Sequence, residues 1–276
     1  MVKCGLEKIC IENCEDFSSP HIFDCGQAFR WNADDNGVYT GIAHGVVARV
    51  WNEDNRAYIL SSEGSYEKIW KKYFDMEKDY SVLRAEISRE KALSSACDFG
   101  KGIRILRQEP WEALCSFIIS QCNNIPRIKG IVEKLCLLCG EEVEFMGEKF
   151  CSFPSAKEVA RLSAKELDSL RSGYRASYIS EAAKGVACGD IDLAYIESLP
   201  TDEAKRELLK IEGVGEKVAS CTLLFGLGKL DAFPVDVWMK RAITEFFGEG
   251  KFDYRRFGNY AGLAQQYMFH YMRNGR

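Results

Sequence analysis

The apolar pattern of the chain changes period at Phe99-Gly-Lys-Gly102, and that change constrains the architecture more than any other feature. Before it, Val38-Tyr-Thr-Gly-Ile-Ala43, Val46-Val-Ala-Arg-Val-Trp51 and Ala57-Tyr-Ile-Leu60 are short β-branched and aromatic runs. His44-Gly45 and Asn52-Glu-Asp-Asn55 separate them, the pattern of an antiparallel meander. Two helical stretches, near 65–74 and 79–95, follow. Beyond the glycines the apolar residues recur at helical spacing over 110–122, 126–139, 155–171, 174–188, 201–210, 216–227, 236–247 and 254–273. The expected fold class is α+β. Residues 1–100 form a β-rich N-terminal domain with an antiparallel sheet and helices, and residues 101–276 a larger all-α domain.

Composition agrees with two domains of this kind. A chain of 276 residues with 46% apolar and 12% aromatic residues can bury a sizeable core. The apolar run Ala113-Leu-Cys-Ser-Phe-Ile-Ile119 is too short to cross a bilayer. The opening MVKCGLEKICIEN lacks the uninterrupted apolar stretch of a signal peptide, so a cytoplasmic or nucleoid-associated protein with reduced thiols at its twelve cysteines is expected. Three histidines without metal-ligand spacing argue against a metal site. Cys136-Leu-Leu-Cys139 sits in an apolar helical stretch and reads as core, and no cysteine follows Cys221, which excludes a C-terminal iron–sulfur loop. Neither metal nor cofactor is expected.

Charge is uneven. Residues 1–100 hold 12 Lys+Arg against 17 Asp+Glu, and the remainder 25 against 24. An overall −4 speaks against a strongly basic nucleic-acid binder. It leaves room for one that grips phosphate with backbone amides and a few placed arginines.

The segment Ile211-Glu-Gly-Val-Gly-Glu-Lys-Val-Ala-Ser-Cys221 lies between two helical patterns. Gly213 and Gly215 let the backbone turn tightly and present free amides at the next helix start, an anion site built from unpaired donors and the helix dipole. A plain interhelical turn has the same appearance. Lys217 follows in the first helical turn, where a cation opposes the dipole, a local conflict of the kind found at functional sites. A nucleophilic lysine must be neutral, and burial beside a positive helix end favours the neutral amine; a surface lysine is the alternative. Nineteen residues on, Asp236 precedes another helix and is a natural N-cap, which would also hold a catalytic carboxylate rigid. In the last helix, Tyr260, Leu263, Ala264, Tyr267, Met268 and Tyr271 form one apolar stripe, leaving Gln265 and Phe269 on the far side of the wheel.

Taken together and in order, Gly26-Gln-Ala-Phe-Arg-Trp31, Pro110–Arg127, Gly173-Tyr-Arg-Ala-Ser-Tyr178, Ile211–Asp236 and Ala261–Phe269 resemble the helix–hairpin–helix DNA glycosylase superfamily, and within it the 8-oxoguanine DNA glycosylases. The resemblance covers nearly the whole chain and implies a bifunctional glycosylase and AP lyase of base-excision repair. It would remove 8-oxoguanine opposite cytosine from double-stranded DNA, acting as a monomer. Lys217 would attack C1′ and form a Schiff base that permits β-elimination, with Asp236 stabilising the charge on the sugar. Phe269 and Cys221 would pack against the flipped base, Gln265 would bond its Watson–Crick edge, and the Gly26 carbonyl would accept the N7–H that guanine lacks. Gly213 and Gly215 would grip DNA phosphate. Arg127 and Arg175 would read the opposite cytosine, and Tyr174 would wedge the strands apart. Read from the residues alone, Cys221 is equally a core thiol, the arginines solvated helix charges and Tyr174 core.

Two positions depart from the family pattern. Cys122 replaces the first of three asparagines, leaving Asn123 and Asn124, which bears on opposite-base preference. Trp238 stands where the family usually has a histidine that contacts phosphate. Two rivals follow: a monofunctional alkyl-base glycosylase of the same superfamily, which has no nucleophile like Lys217, and a non-catalytic DNA-binding protein. The latter has no use for Lys217, Asp236 and an exposed Gln265/Phe269 pair together.

Overall fold

A computed structural model describes residues 5–12 and 14–275. The meander is a five-stranded antiparallel sheet of order β1-β5-β4-β3-β2, with β1 Leu6–Glu12, β2 Trp31–Ala33, β3 Tyr39–Ala43, β4 Val46–Glu53 and β5 Arg56–Ser62. His44 and Gly45 both take positive φ, 50° and 70°, as the two-residue turn that matches strand twist requires. The sheet adds β1 and β2 to the three strands legible in the sequence. The buried face packs on an aromatic cluster in which Phe23 stacks on Trp31 at 4.1 Å and the Trp31 indole donates to the Tyr73 hydroxyl at 2.9 Å. Gly41 faces that indole, since any Cβ there would lie 2.3 Å from Trp31.

The remainder of the described residues is helical apart from one hairpin, β6 Glu142–Phe145 and β7 Glu148–Cys151, which lies between the helical patterns read over 126–139 and 155–171. Met146 and Gly147 turn it with positive φ, and Phe145 packs against Ile42 and Val47 of the sheet. The expected helix over 155–171 is two short helices, Ala156–Val159 and Ala164–Ser169. Each starts on its own capping box, Ser155 with Glu158 and Ser163 with Glu166, so Ser163 restarts what periodicity read as continuous. A further helix, Leu193–Ser198, is capped by Asp192.

Two large cores divide the chain, though not at residue 100. Tyr80, Leu83, Ile87, Leu93, Ala96 and Cys97 belong to the helical core, whereas Leu106 belongs to that of the sheet. Gln27 ties them: fully buried, it donates to Ile22 O and Arg104 O, accepts from Leu106 N–H, and its own carbonyl accepts from Gln108. Every polar group of the Gln27 side chain is thus satisfied inside the protein, which fixes the adjoining Gly26 beside the helices. The eleven cysteines among the described residues are all free thiols; Cys4 lies outside the described residues. Cys136 is buried in the helical core, and the half-buried Cys139 thiol donates to Leu135 O. Among the described residues, no helix is long and apolar enough to cross a membrane.

Candidate active site

Two helix N-termini and one face of a third helix meet at one small chamber. The first is the N-terminus of the helix Glu216–Phe225, which starts on Gly215 with no side-chain cap. Gly213 has φ 78°, and a Cβ there would collide with Tyr178 at 2.2 Å, so this turn needs glycine on two counts. Around Gly215 nothing lies within 4 Å of a would-be Cβ, which leaves its face open to a backbone or phosphate. Lys217 extends from the first turn. Its Nζ donates to Ser120 Oγ at 2.7 Å and lies 5.0 Å from the centroid of the Phe117 ring.

The second is the N-terminus of the helix Val237–Phe247. Asp236 caps it, Oδ1 accepting from Met239 N–H at 2.8 Å, as its sequence position indicates. The cap leaves the carboxylate on the chamber wall with Lys217. The two form no ion pair within 4.0 Å, so Ser120, not Asp236, is the immediate partner of the amine.

The third contributor is the last helix, Ala261–Asn274. Leu263, Ala264, Tyr267 and Met268 of its apolar stripe are buried, but so are Gln265 (4% exposed), Gln266 and His270. The expected exposed Gln265/Phe269 pair is therefore corrected: Gln265 is buried and Phe269 half-buried, because the far side of the helix faces the segment around Gly26 rather than solvent. Gln266 holds that segment, its amide donating to the Cys25 carbonyl and thiol. Gly26 has φ 79°, and a Cβ there would sit 3.2 Å from Phe269 Cε1. The ring rests directly on the glycine.

Together Gly26, Phe117, Lys217, Cys221, Phe225, Asp236, Gln265 and Phe269 line a cavity of about 50 Å³. Gln265 Oε1 is buried there without a hydrogen-bond partner, at a cost of about 1–3 kcal/mol. Burial pushes the Cys221 thiol up, with Lys217 opposing, so a neutral, soft surface faces the chamber. The chamber opens into a groove of about 270 Å³ that adds Ser120, Asn123, Asn124, Trp238 and Arg273. Phe117, Ser120 and Arg273 carry no signal of this role in sequence: Ser120 meets Lys217 across 97 positions, a contact no helical or strand spacing encodes.

The residues expected to face the opposite strand form a separate cluster. Cys122 is exposed with φ 46°, and its carbonyl accepts from the Arg175 guanidinium. Tyr174 is 53% exposed. Asn124 caps the helix Ile125–Cys139 by accepting from Arg127 N–H, and Asn123 donates to Ile119 O. Arg127 is exposed, with one contact to Arg171 O at 3.2 Å. Arg175 is 3% exposed and donates to the carbonyls of Gln121, Cys122 and Ser172, its guanidinium 4.5 Å from the Tyr174 ring. Trp238 is 41% exposed at the groove, beneath Arg241.

Residues 9–114 match the model for the 8-oxoguanine DNA glycosylase N-terminal domain, and residues 115–256 that for the HhH-GPD superfamily of base excision DNA repair proteins. The chain belongs to the HhH-GPD superfamily. An N-glycosylase/DNA lyase of Saccharomyces cerevisiae is 32% identical over 257 residues, 83% of this chain and 68% of the yeast protein. The N-glycosylase/DNA lyase OGG1 of Arabidopsis thaliana is 28% identical over 92% of this chain and 77% of its own length. The structure of Clostridium acetobutylicum 8-oxoguanine glycosylase/lyase, in complex with double-stranded DNA containing cytosine opposite 8-oxoG, superposes with a TM-score of 0.91 at 36% identity, covering 98% of each chain. As an HhH-GPD member of this kind, the protein is a base-excision DNA N-glycosylase and lyase.

Proposed function

We propose that the protein removes 8-oxoguanine paired with cytosine from duplex DNA, through a Schiff base on Lys217. The observation that carries this reading is the chamber itself, where an amine, a carboxylate, an unpartnered buried amide oxygen and an aromatic face converge. A base inside a duplex cannot reach such a site, so it must be extruded. Once it is, Phe269 stacks on one face and the Cys221 thiol packs on the other. Gln265 Oε1 accepts from the Watson–Crick edge, which relieves its unsatisfied burial. The Gly26 carbonyl takes the N7–H of the oxidised purine; guanine presents a lone pair at N7, so carbonyl would meet acceptor.

Lys217 Nζ attacks C1′ as the bond to the base breaks, the electron pair leaving with the base. The Asp236 carboxylate stabilises the positive charge developing on the sugar, an interaction strengthened where water is excluded. Opening of the sugar ring gives the Schiff base, which acidifies C2′; loss of that proton expels the 3′ phosphate by β-elimination. The amides ahead of Lys217, uncapped at Gly215, take a DNA phosphate. Borohydride reduction with an 8-oxoguanine duplex tests the nucleophile. The protein should be trapped covalently on DNA, and Lys217→Gln should abolish trapping while still binding the duplex. Normal trapping by Lys217→Gln would overturn the assignment.

A further inference from the structure

One cation at the groove has no assigned task. Arg273, in the last turn of the helix Ala261–Asn274, is exposed and lines the groove mouth. Among the described residues it makes no hydrogen bond or ion pair; its guanidinium lies 5.5 Å from the centroid of the Phe269 ring. The lining holds one other cation, Lys217, which is tied to Ser120, and Trp238 in the same lining can offer only a single indole N–H. Arg273 Nη1 would lie 3.7 Å from a Cβ on Gly26, which places five unmet donors at the entrance to the chamber.

We propose that Arg273 anchors the extruded nucleotide by binding a backbone phosphate that flanks the lesion. The inference rests on the base-excision reading above. A base lying on Phe269 with its sugar at Lys217 must carry its phosphates to the rim of the same groove. There the rigid guanidinium fork matches phosphate oxygens. Resting on Phe269 in the free protein, Arg273 is already held at the entrance, so little side-chain freedom is lost on binding. In an undamaged duplex that nucleotide stays stacked and no phosphate reaches the entrance. Arg273 therefore acts on the extruded state alone.

The test is the salt dependence of binding in the Lys217→Gln protein, which cannot process its substrate. Arg273→Ala should weaken binding to an 8-oxoguanine duplex about tenfold, the scale of one charge-assisted hydrogen bond, and reduce the slope of log K against log salt by about 0.9. Arg273→Lys, which keeps a cation at this helix end, should restore the slope. On undamaged duplex all three proteins should coincide. A methylphosphonate at one of the two phosphates flanking the lesion should erase the difference between Arg273 and Arg273→Ala. An unchanged slope, an equal loss on both duplexes, or indifference to both methylphosphonates would overturn the proposal. If instead Lys217→Gln with Arg273 intact bound both duplexes alike, the lesion reading itself would fail, a distinct outcome.

Discussion

The chamber at Lys217 and the Cys122–Arg175 cluster stand on neighbouring helices, yet they handle polar groups in opposite ways. In the chamber, donors and acceptors are left with capacity to spare: Gln265 Oε1 has no partner, Lys217 has one hydroxyl, and the amides at Gly215 have no side-chain cap. In the cluster, polar groups are committed to the protein's own backbone. Arg175 uses four of its five N–H bonds on three carbonyls, and Asn123 and Asn124 satisfy the loop and helix start they belong to. A buried polar group without a partner is held there by the rest of the fold at a cost, and a ligand removes that cost. A satisfied group acts by holding a surface in shape. The chamber is thus built to bind and the cluster to present.

If that contrast holds, chamber substitutions should change chemistry at constant stability. Asp236→Asn keeps the N-cap, since asparagine caps as well as aspartate, but loses the charge. Base release should slow by at least about tenfold, ~1.4 kcal/mol on the barrier, with Tm little changed. A fall in Tm with unaltered single-turnover rate would show that Asp236 is only a cap. The cluster should respond the other way. Arg175→Ala should lower stability on the order of 2–3 kcal/mol by stripping hydrogen bonds from the Gln121–Cys122 turn, and should flatten discrimination of cytosine from adenine as a consequence. Arg127→Ala, on an exposed side chain, should leave stability within about 0.5 kcal/mol and cost about 1–3 kcal/mol of cytosine preference if it contacts that base. Denaturant melts beside single-turnover excision separate the two arginines. Equal stability losses for both would show that the two arginines play the same role.

Phe269 tests the chamber from its lid. Phe269→Ala should weaken binding to lesion DNA by about 1–3 kcal/mol, the worth of one base–aromatic stack. Binding to undamaged duplex should barely move. An equal loss on both would assign the ring to packing against Gly26.

How far the sequence announced all this depends on whether the information is local. Turn chemistry at His44-Gly45 and the capping position of Asp236 are local, and both were legible. The wheel of the last helix placed Gln265 and Phe269 correctly on a face of their own, but not what that face meets. Its partner is Gly26, brought there by Gln27 and Gln266 from the far end of the chain. The hairpin Glu142–Cys151 was lost because its strands are only four residues each and half of their residues are charged, which leaves too short an alternation to read as strand. Ser120 and Arg273 were invisible for the same reason: a contact made across a fold has no period.

The smallest expected effect sits at Cys122, and it probes whether the cluster presents or reads. Residue 122 adopts φ 46°, the left-handed region, where asparagine is several-fold enriched over other side chains. Cys122→Asn therefore introduces no backbone strain and should not lower Tm. It replaces a weak thiol donor and acceptor by an amide able to form paired hydrogen bonds with an orphaned cytosine. One net hydrogen bond of about 1 kcal/mol would raise the preference for cytosine roughly fivefold over the wild-type protein. The measurement is single-turnover excision from duplexes carrying each of the four bases opposite 8-oxoguanine. A rise confined to cytosine places residue 122 against the opposite base, with the wild-type cysteine as the reason for a weaker preference. If all four ratios stay fixed while Arg127→Ala still shifts them, reading belongs to the exposed arginine, and the turn at Cys122 serves only to carry the neighbouring Tyr174 and the backbone that Arg175 holds.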